Sequence, residues 1–175
     1  MEGMNPEKNA SATADGLVVT RAFEDQWRAV RTVRLAALAE SPSAFGSTLQ
    51  REQEYHETQW REWTRSAALF LACADGTPVG IAAGISGDTD ESRKLVAVWM
   101  SPDWRGRGAS SGLLGGVEQW ARADGARRLQ LWLTQGNIPA RRLYERHGYV
   151  DTGRVKPLPS NPSLHADEMV LHLHG

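Results

Sequence analysis

Two arginines, two glycines and a serine fall within six positions, Arg105-Gly106-Arg107-Gly108-Ala109-Ser110. Glycine allows a tight turn and close approach of a ligand, and guanidinium groups match phosphate oxygens in charge and geometry. Upstream, Leu95 to Met100 is an apolar strand-like run, which Ser101-Pro102-Asp103-Trp104 brings to a stop. Downstream, Leu113, Leu114, Val117, Trp120 and Ala121 recur at helical spacing. A strand, a glycine loop and a helix start gather several unpaired backbone N–H groups at one point, where the positive end of the helix dipole also lies. Such a point binds anions, phosphate above all. The plain alternative is a tight turn with solvated arginines. Two common nucleotide loops do not fit. No Gly-Lys-Ser/Thr follows, and the dinucleotide pattern would need Gly or Ala where Ser111 stands.

A second stretch follows a strand-like run from Leu129 to Thr134 and reads Asn137-Ile138-Pro139-Ala140-Arg141-Arg142-Leu143-Tyr144-Glu145-Arg146-His147-Gly148-Tyr149. On residue type alone, Asn137 suits a helix N-cap in front of Pro139, and Tyr144 suits the apolar face of an amphipathic helix. The two stretches together resemble the GNAT superfamily of N-acetyltransferases. The first is similar to its pyrophosphate loop, Gln/Arg-x-x-Gly-x-Gly/Ala, with Ser110 in place of the final Gly or Ala. The second is similar to its Asn-x-x-Ala-x-x-x-Tyr-x-x-x-Gly-Phe/Tyr element. With the flanking strands, the similarity runs from Leu17 to Leu173.

The resemblance implies a mixed α/β (α+β) fold. Its central sheet would have about seven mostly antiparallel strands, flanked by helices and splayed between the fourth and fifth. It implies acetyl-CoA as co-substrate and no metal. Arg105, Arg107, Gly108, Ala109 and Ser110 would hold the diphosphate, the backbone of Trp99 and Met100 would pair with the pantetheine arm, and Asn137 would lie beside that arm. Tyr144 would protonate the departing thiolate. The implied reaction is direct acetyl transfer to a primary amine of a small molecule or protein. A non-catalytic acyl-CoA sensor is the alternative. For the base that must take a proton from the amine, Glu54, His56, Glu91, His165 and Glu168 are candidates, as is ordered water, and residue type does not choose among them. The acceptor region would include Phe45, Tyr55, Trp60 and Trp63 beside Glu52, Glu54, Glu57 and Glu62. These would form an aromatic, acidic pocket suited to a cationic amine, or else an ordinary amphipathic helix.

Several elements must position these residues. Strands are expected at 17–21, 68–74, 78–85, 95–100, 128–134, 149–155 and 168–173. Helices are expected at 23–39, 50–65, from the phosphate loop to about Asp124, and from Asn137 to His147. Asp75-Gly76 reads as a hairpin turn and the proline-rich 157–162 as a loop. The polar 1–15 is expected to be a disordered leader, lacking the apolar stretch of a signal peptide, with one acetyltransferase domain over 16–175. At 175 residues the chain can bury a real core. A net charge of −1 gives no electrostatic reason to bind nucleic acid or an acidic membrane. Cys73 is the only cysteine, so no intrachain disulfide forms. A cytoplasmic protein is expected, with a homodimer left open.

Overall fold

The computed structural model describes residues 11–12 and 16–174. Its elements run β1 (Leu17–Ala22), α1 (Trp27–Glu40), α2 (Leu49–Gln53), α3 (Glu57–Ser66), β2 (Ala68–Ala74), β3 (Thr77–Ser86) and β4 (Ser92–Met100), then α4 (Ala109–Ala123), β5 (Arg128–Thr134), α5 (Ile138–Arg146), β6 (Val150–Leu158) and β7 (Asn161–His172). The seven strands form one sheet in the order β1-β2-β3-β4-β5-β7-β6, and the two-residue segment Ser11–Ala12 pairs outside β1. Apart from Ser11–Ala12, the expected leader lies outside the described residues.

Every neighbouring pair of strands is antiparallel except β4 and β5, which are parallel and joined through α4. Their register lasts only three pairs, Ser92 with Arg128, Arg93 with Leu129 and Lys94 with Gln130. Beyond these pairs the two strands part and the sheet opens. On its other edge, β4 carries a bulge where it meets β3. Ile81 pairs with Trp99 and Ala83 with Val96, so Ala97 and Val98 together face the single residue Ala82. Ala97 takes φ 58°, left-handed backbone that a non-glycine residue rarely adopts.

Helices cover both faces. α1 buries Trp27, Val30, Val33, Ala37 and Leu38 at helical spacing, against a core that also takes Leu69, Leu71, Ile81 and Trp99. On the opposite face α4 buries Leu113, Leu114, Val117 and Ala121, and α5 adds Tyr144. Burying each of the valine and leucine side chains among these contributes about 1.5–3 kcal/mol before entropy is counted. α4 lies close on the sheet because Gly84 leaves room for Trp120. A Cβ there would come within 2.4 Å of the indole.

Several elements differ from the expected pattern: β4 begins at Ser92 and not Leu95, β6 runs on to Leu158, and β7 runs from Asn161 to His172 where 168–173 is expected. α1 begins at Trp27, because residues 24–26 form a 3-10 turn. The single helix expected over 50–65 is two helices. His56 opens the second, its backbone N–H donating to Gln59 Oε1 at 2.9 Å. The proline-rich 157–162 is the tip of a long hairpin, with Pro157 paired to His165 inside it. β6 is the edge strand, where proline is tolerated at positions whose N–H would point away from the sheet. This hairpin folds back over the loop after α1. The Ser160 hydroxyl donates to the Phe45 carbonyl, and from β5 Thr134 Oγ1 donates to the Ser43 carbonyl at 2.8 Å.

Candidate functional site

Where β4 and β5 part, a cavity of about 640 Å³ opens between them and the starts of α4 and α5. Trp99, Met100, Arg105, Gly108, Ser110, Asn137 and Tyr144 all line it. Residues singled out up to 45 positions apart in the sequence therefore meet at one place.

Gly108 sits ahead of α4 with φ 84°, a turn that glycine takes without cost. The first capping bond of the helix runs from Gly112 N–H to the Gly108 carbonyl at 3.4 Å. The N–H groups of Ala109, Ser110 and Ser111 are thus left without helical partners and form a cradle for an anion. Ala109 itself is buried, so only its backbone is on offer. Arg107 stands apart from the cavity, its guanidinium 4.8 Å from the Trp104 ring centroid. Arg105 is braced. Its Nε donates to the Met100 carbonyl at 3.0 Å and its Nη2 to Glu40 Oε2 at 2.8 Å. The same carboxylate accepts from Trp99 Nε1 at 2.9 Å and from the Ser41 hydroxyl. The Ser41 hydroxyl, the Trp99 indole and Arg105 hold the Glu40 carboxyl below the usual carboxylate range. Arg105 therefore fastens the loop to β4 and α1 while its side chain still lines the cavity.

Free positive charge comes instead from Arg142 and Arg146 of α5, which line the cavity and take no ion pair among the described residues. The sequence reading missed both, though their i,i+4 spacing on the asparagine–tyrosine helix is a readable signal. Asn137 caps that helix, Oδ1 accepting from Ala140 N–H at 3.3 Å, and its amide nitrogen remains available to the cavity. Tyr144 is buried and meets Tyr149 edge-on, ring centroids 5.7 Å apart. Burial pushes its pKa well above the ordinary tyrosine value, so the hydroxyl stays protonated. His147 ties α5 to α4, Nδ1 lying 2.9 Å from Glu118 Oε1 and Nε2 3.1 Å from Ser111 Oγ.

A second cavity, also about 640 Å³, lies on the α1–α3 side, walled by Tyr55, Trp60 and Trp63. It shares two residues with the first, Val96 and Ala97 at the β4 bulge. The expected aromatic wall is present, except that Phe45 faces the first cavity. The expected acidity is largely absent. Glu52 is buried in a two-pronged ion pair with Arg34, at 2.9 and 2.8 Å. Glu54 and Glu57 line neither cavity, and Glu57 pairs with Arg61 at 2.7 Å. Glu62 does line it, paired with Arg65 at 2.6 Å. None of Glu54, His56, Glu91, His165 and Glu168 lines either cavity. Glu168 instead accepts from Thr152 and Arg154, both at 2.9 Å.

Among the described residues no helix is long and apolar enough to cross a membrane, and no group of three His, Cys, Asp or Glu could hold a metal. In the solved structure of yncA from Salmonella typhimurium with its cofactor acetyl-CoA, the fold matches 91% of this chain and 95% of that one. The TM-score is 0.75 at 16% identity. The acetyltransferase of the GNAT family from Streptococcus pneumoniae matches 90% of this chain and 99% of its own, with TM-score 0.73 at 20% identity. The uncharacterized N-acetyltransferase MJ1207 of Methanocaldococcus jannaschii is 29% identical over 114 residues, 58% of this chain and 50% of its own length. The match thus spans half of that relative. The model of the acetyltransferase (GNAT) family matches residues 33–149, more than half of the chain. The chain belongs to the acetyltransferase (GNAT) family.

Proposed function

We propose that the protein is an N-acetyltransferase that passes an acetyl group from acetyl-CoA directly to a primary amine of a small molecule or peptide. The observation that carries this reading is the meeting of two cavities at Val96 and Ala97, beside the β4 bulge, with Tyr144 in the wall of the first. Family membership supports it, as does the acetyl-CoA in the Salmonella neighbour.

The cavity fits that co-substrate. The open N–H groups at the start of α4, with Arg142 and Arg146 nearby, suit phosphate oxygens. The parted edges of β4 and β5 suit an extended arm that carries amide groups, as an unpaired strand edge suits another strand. In this reading Gly108, Ala109 and Ser110 hold the diphosphate through their backbone, and Arg105 and Arg107 shape and charge the loop. Trp99, Met100 and Asn137 flank the arm. Acetyl-CoA supplies an acetyl thioester, which a neutral amine can attack.

The chain's own part is to position and to move protons. The two cavities, which meet at Val96 and Ala97, bring amine and acetyl group together and so remove much of the entropic cost of a two-substrate reaction. The Tyr144 hydroxyl donates the proton that a leaving thiolate takes up. The amine proton leaves to water, since none of the candidate bases lines a cavity. In this reading residues 16–175 act as a single domain in the cytoplasm.

Thiol release from acetyl-CoA, followed against a panel of amines, tests the reading. Release that requires both protein and a particular amine is expected. If CoA raises the melting temperature but no amine releases thiol, the chain is a binding module and not an enzyme.

A further inference from the structure

Arg34 breaks the apolar stripe of α1, and it is only 8% exposed. A guanidinium carries five N–H donors in a flat fork with more than one docking edge. One edge, Nε and Nη2, is taken by both oxygens of Glu52. Its flat faces are covered by Phe45, at 4.9 Å to the ring centroid, and Trp63, at 5.7 Å. Nη1 takes no hydrogen bond among the described residues. It is also not one of the buried polar atoms cut off from solvent, and Arg34 lines the second cavity. The edge formed by Nη1 and Nη2 is therefore open, on a side chain that its pair and two rings already hold in place. A ligand that binds there loses little entropy in ordering it, and its oxygens satisfy donors that are otherwise poorly hydrated.

The rest of the cavity agrees. Tyr55, Trp60 and Trp63 offer apolar wall for a side chain, and Val96 and Ala97 mark where the nitrogen must reach. The one carboxylate that lines the cavity outside the Arg34 pair is Glu62, already bound to Arg65. A polycation would find no unpaired carboxylate to neutralise it.

We infer that the acceptor carries a carboxylate beside its amine. It is an amino acid, or a close analogue, with an apolar or aromatic side chain, and its carboxylate docks on the open edge of Arg34. This rests on the acetyltransferase reading and narrows its substrate class.

Matched pairs of acceptors test it: phenylalanine against phenethylamine, and leucine against 3-methylbutylamine. Thiol-release kcat/KM is measured for each and corrected for the fraction of neutral amine. The carboxylate-bearing member should be faster by about 10- to 100-fold, the range that hydrogen bonds to a charged group supply. The variant Arg34→Met/Glu52→Leu removes the pair together, so no buried charge is stranded. In it the ratio should fall toward one. Arg34→Lys, which keeps the charge without the fork, should lose most of the preference as well.

A parent enzyme that uses the carboxylate-free amines equally well or better overturns the inference. So does a double variant that keeps the preference. Melting of the CoA-saturated protein gives a readout that needs no turnover. Phenylalanine should raise the parent's melting temperature but not that of the double variant. If it does so without thiol release, the anchor stands and the transfer reading fails. If phenylalanine gives neither a shift nor release while other amines react, the anchor fails and the transfer reading stands.

Discussion

Tyr144 is surrounded by protein and lines the cavity where β4 and β5 part, and that pairing of burial with access fits a proton donor. Removing the hydroxyl in Tyr144→Phe should lower the chemical rate by about 10- to 1000-fold, the broad range for a general acid that water partly replaces. CoA affinity should change little, because in the proposed role the hydroxyl acts only as the thiolate leaves. An unchanged rate under conditions where chemistry limits turnover would leave Tyr144 as packing alone. The pH profile follows from the direction of its shift. Burial raises the tyrosine pKa, so the donor form persists through the alkaline range and adds no falling limb there. The acceptor, by contrast, becomes reactive as it loses its proton. Catalytic efficiency should therefore climb from neutral pH and level off only as the pH passes the pKa of the acceptor amine, about 10.4 for a lysine-like amine. A falling limb below that pH in the parent, absent from Tyr144→Phe, would contradict the buried donor.

At the scale of elements, the bulge in β4 divides the two cavities and is held by a strained residue. Left-handed backbone costs a residue with a Cβ about 1–2 kcal/mol, and more when the side chain is β-branched. Ala97→Gly should leave the melting temperature nearly unchanged, because relief of strain is offset by the greater freedom of glycine in the unfolded chain. Ala97→Val should lower both melting temperature and transfer rate. Equal stability of the two variants would mean that the bulge is not strained. No residue type announces this bulge, since alanine has no preference for positive φ, and it was missed in the sequence for that reason. Arg34 was missed differently. Its partner Glu52 lies 18 positions away on another helix, and nothing local links them. The phosphate loop was readable because glycine and arginine are unusual at such density. β2 and β5 were readable to the residue, being apolar or alternating runs bounded by turns. β6 was shortened in the reading because it is exposed along almost its whole length and carries a proline.

At the scale of the molecule, the sheet is two parts that meet at only three β4–β5 pairs. α1 and α4 pack on the β1–β4 part, and the cavity between the parts is bordered by strand edges without partners. A ligand that fills it stitches the two parts together and binds only the folded state, so it must stabilise that state by mass action. At a concentration 100 times its dissociation constant, acetyl-CoA should contribute about 2.7 kcal/mol. For a domain of this size each kcal/mol moves the midpoint by about 2–4 °C, so a rise of roughly 5–11 °C is expected. Amide hydrogen exchange should slow most at 98–100 and 131–134, where the parted edges face the cavity, and least in β6 at the sheet edge. Part of the binding energy should depend on salt, because Arg142 and Arg146 are exposed and unpaired while the ligand is strongly anionic. Gly108→Val, which forces a branched side chain into left-handed backbone at the phosphate cradle, should remove most of the thermal shift. If that variant is folded and gains as much from CoA as the parent, the phosphates do not sit at the start of α4. If exchange slows evenly over the molecule with no focus on 98–100 and 131–134, the arm does not lie between the parted strands.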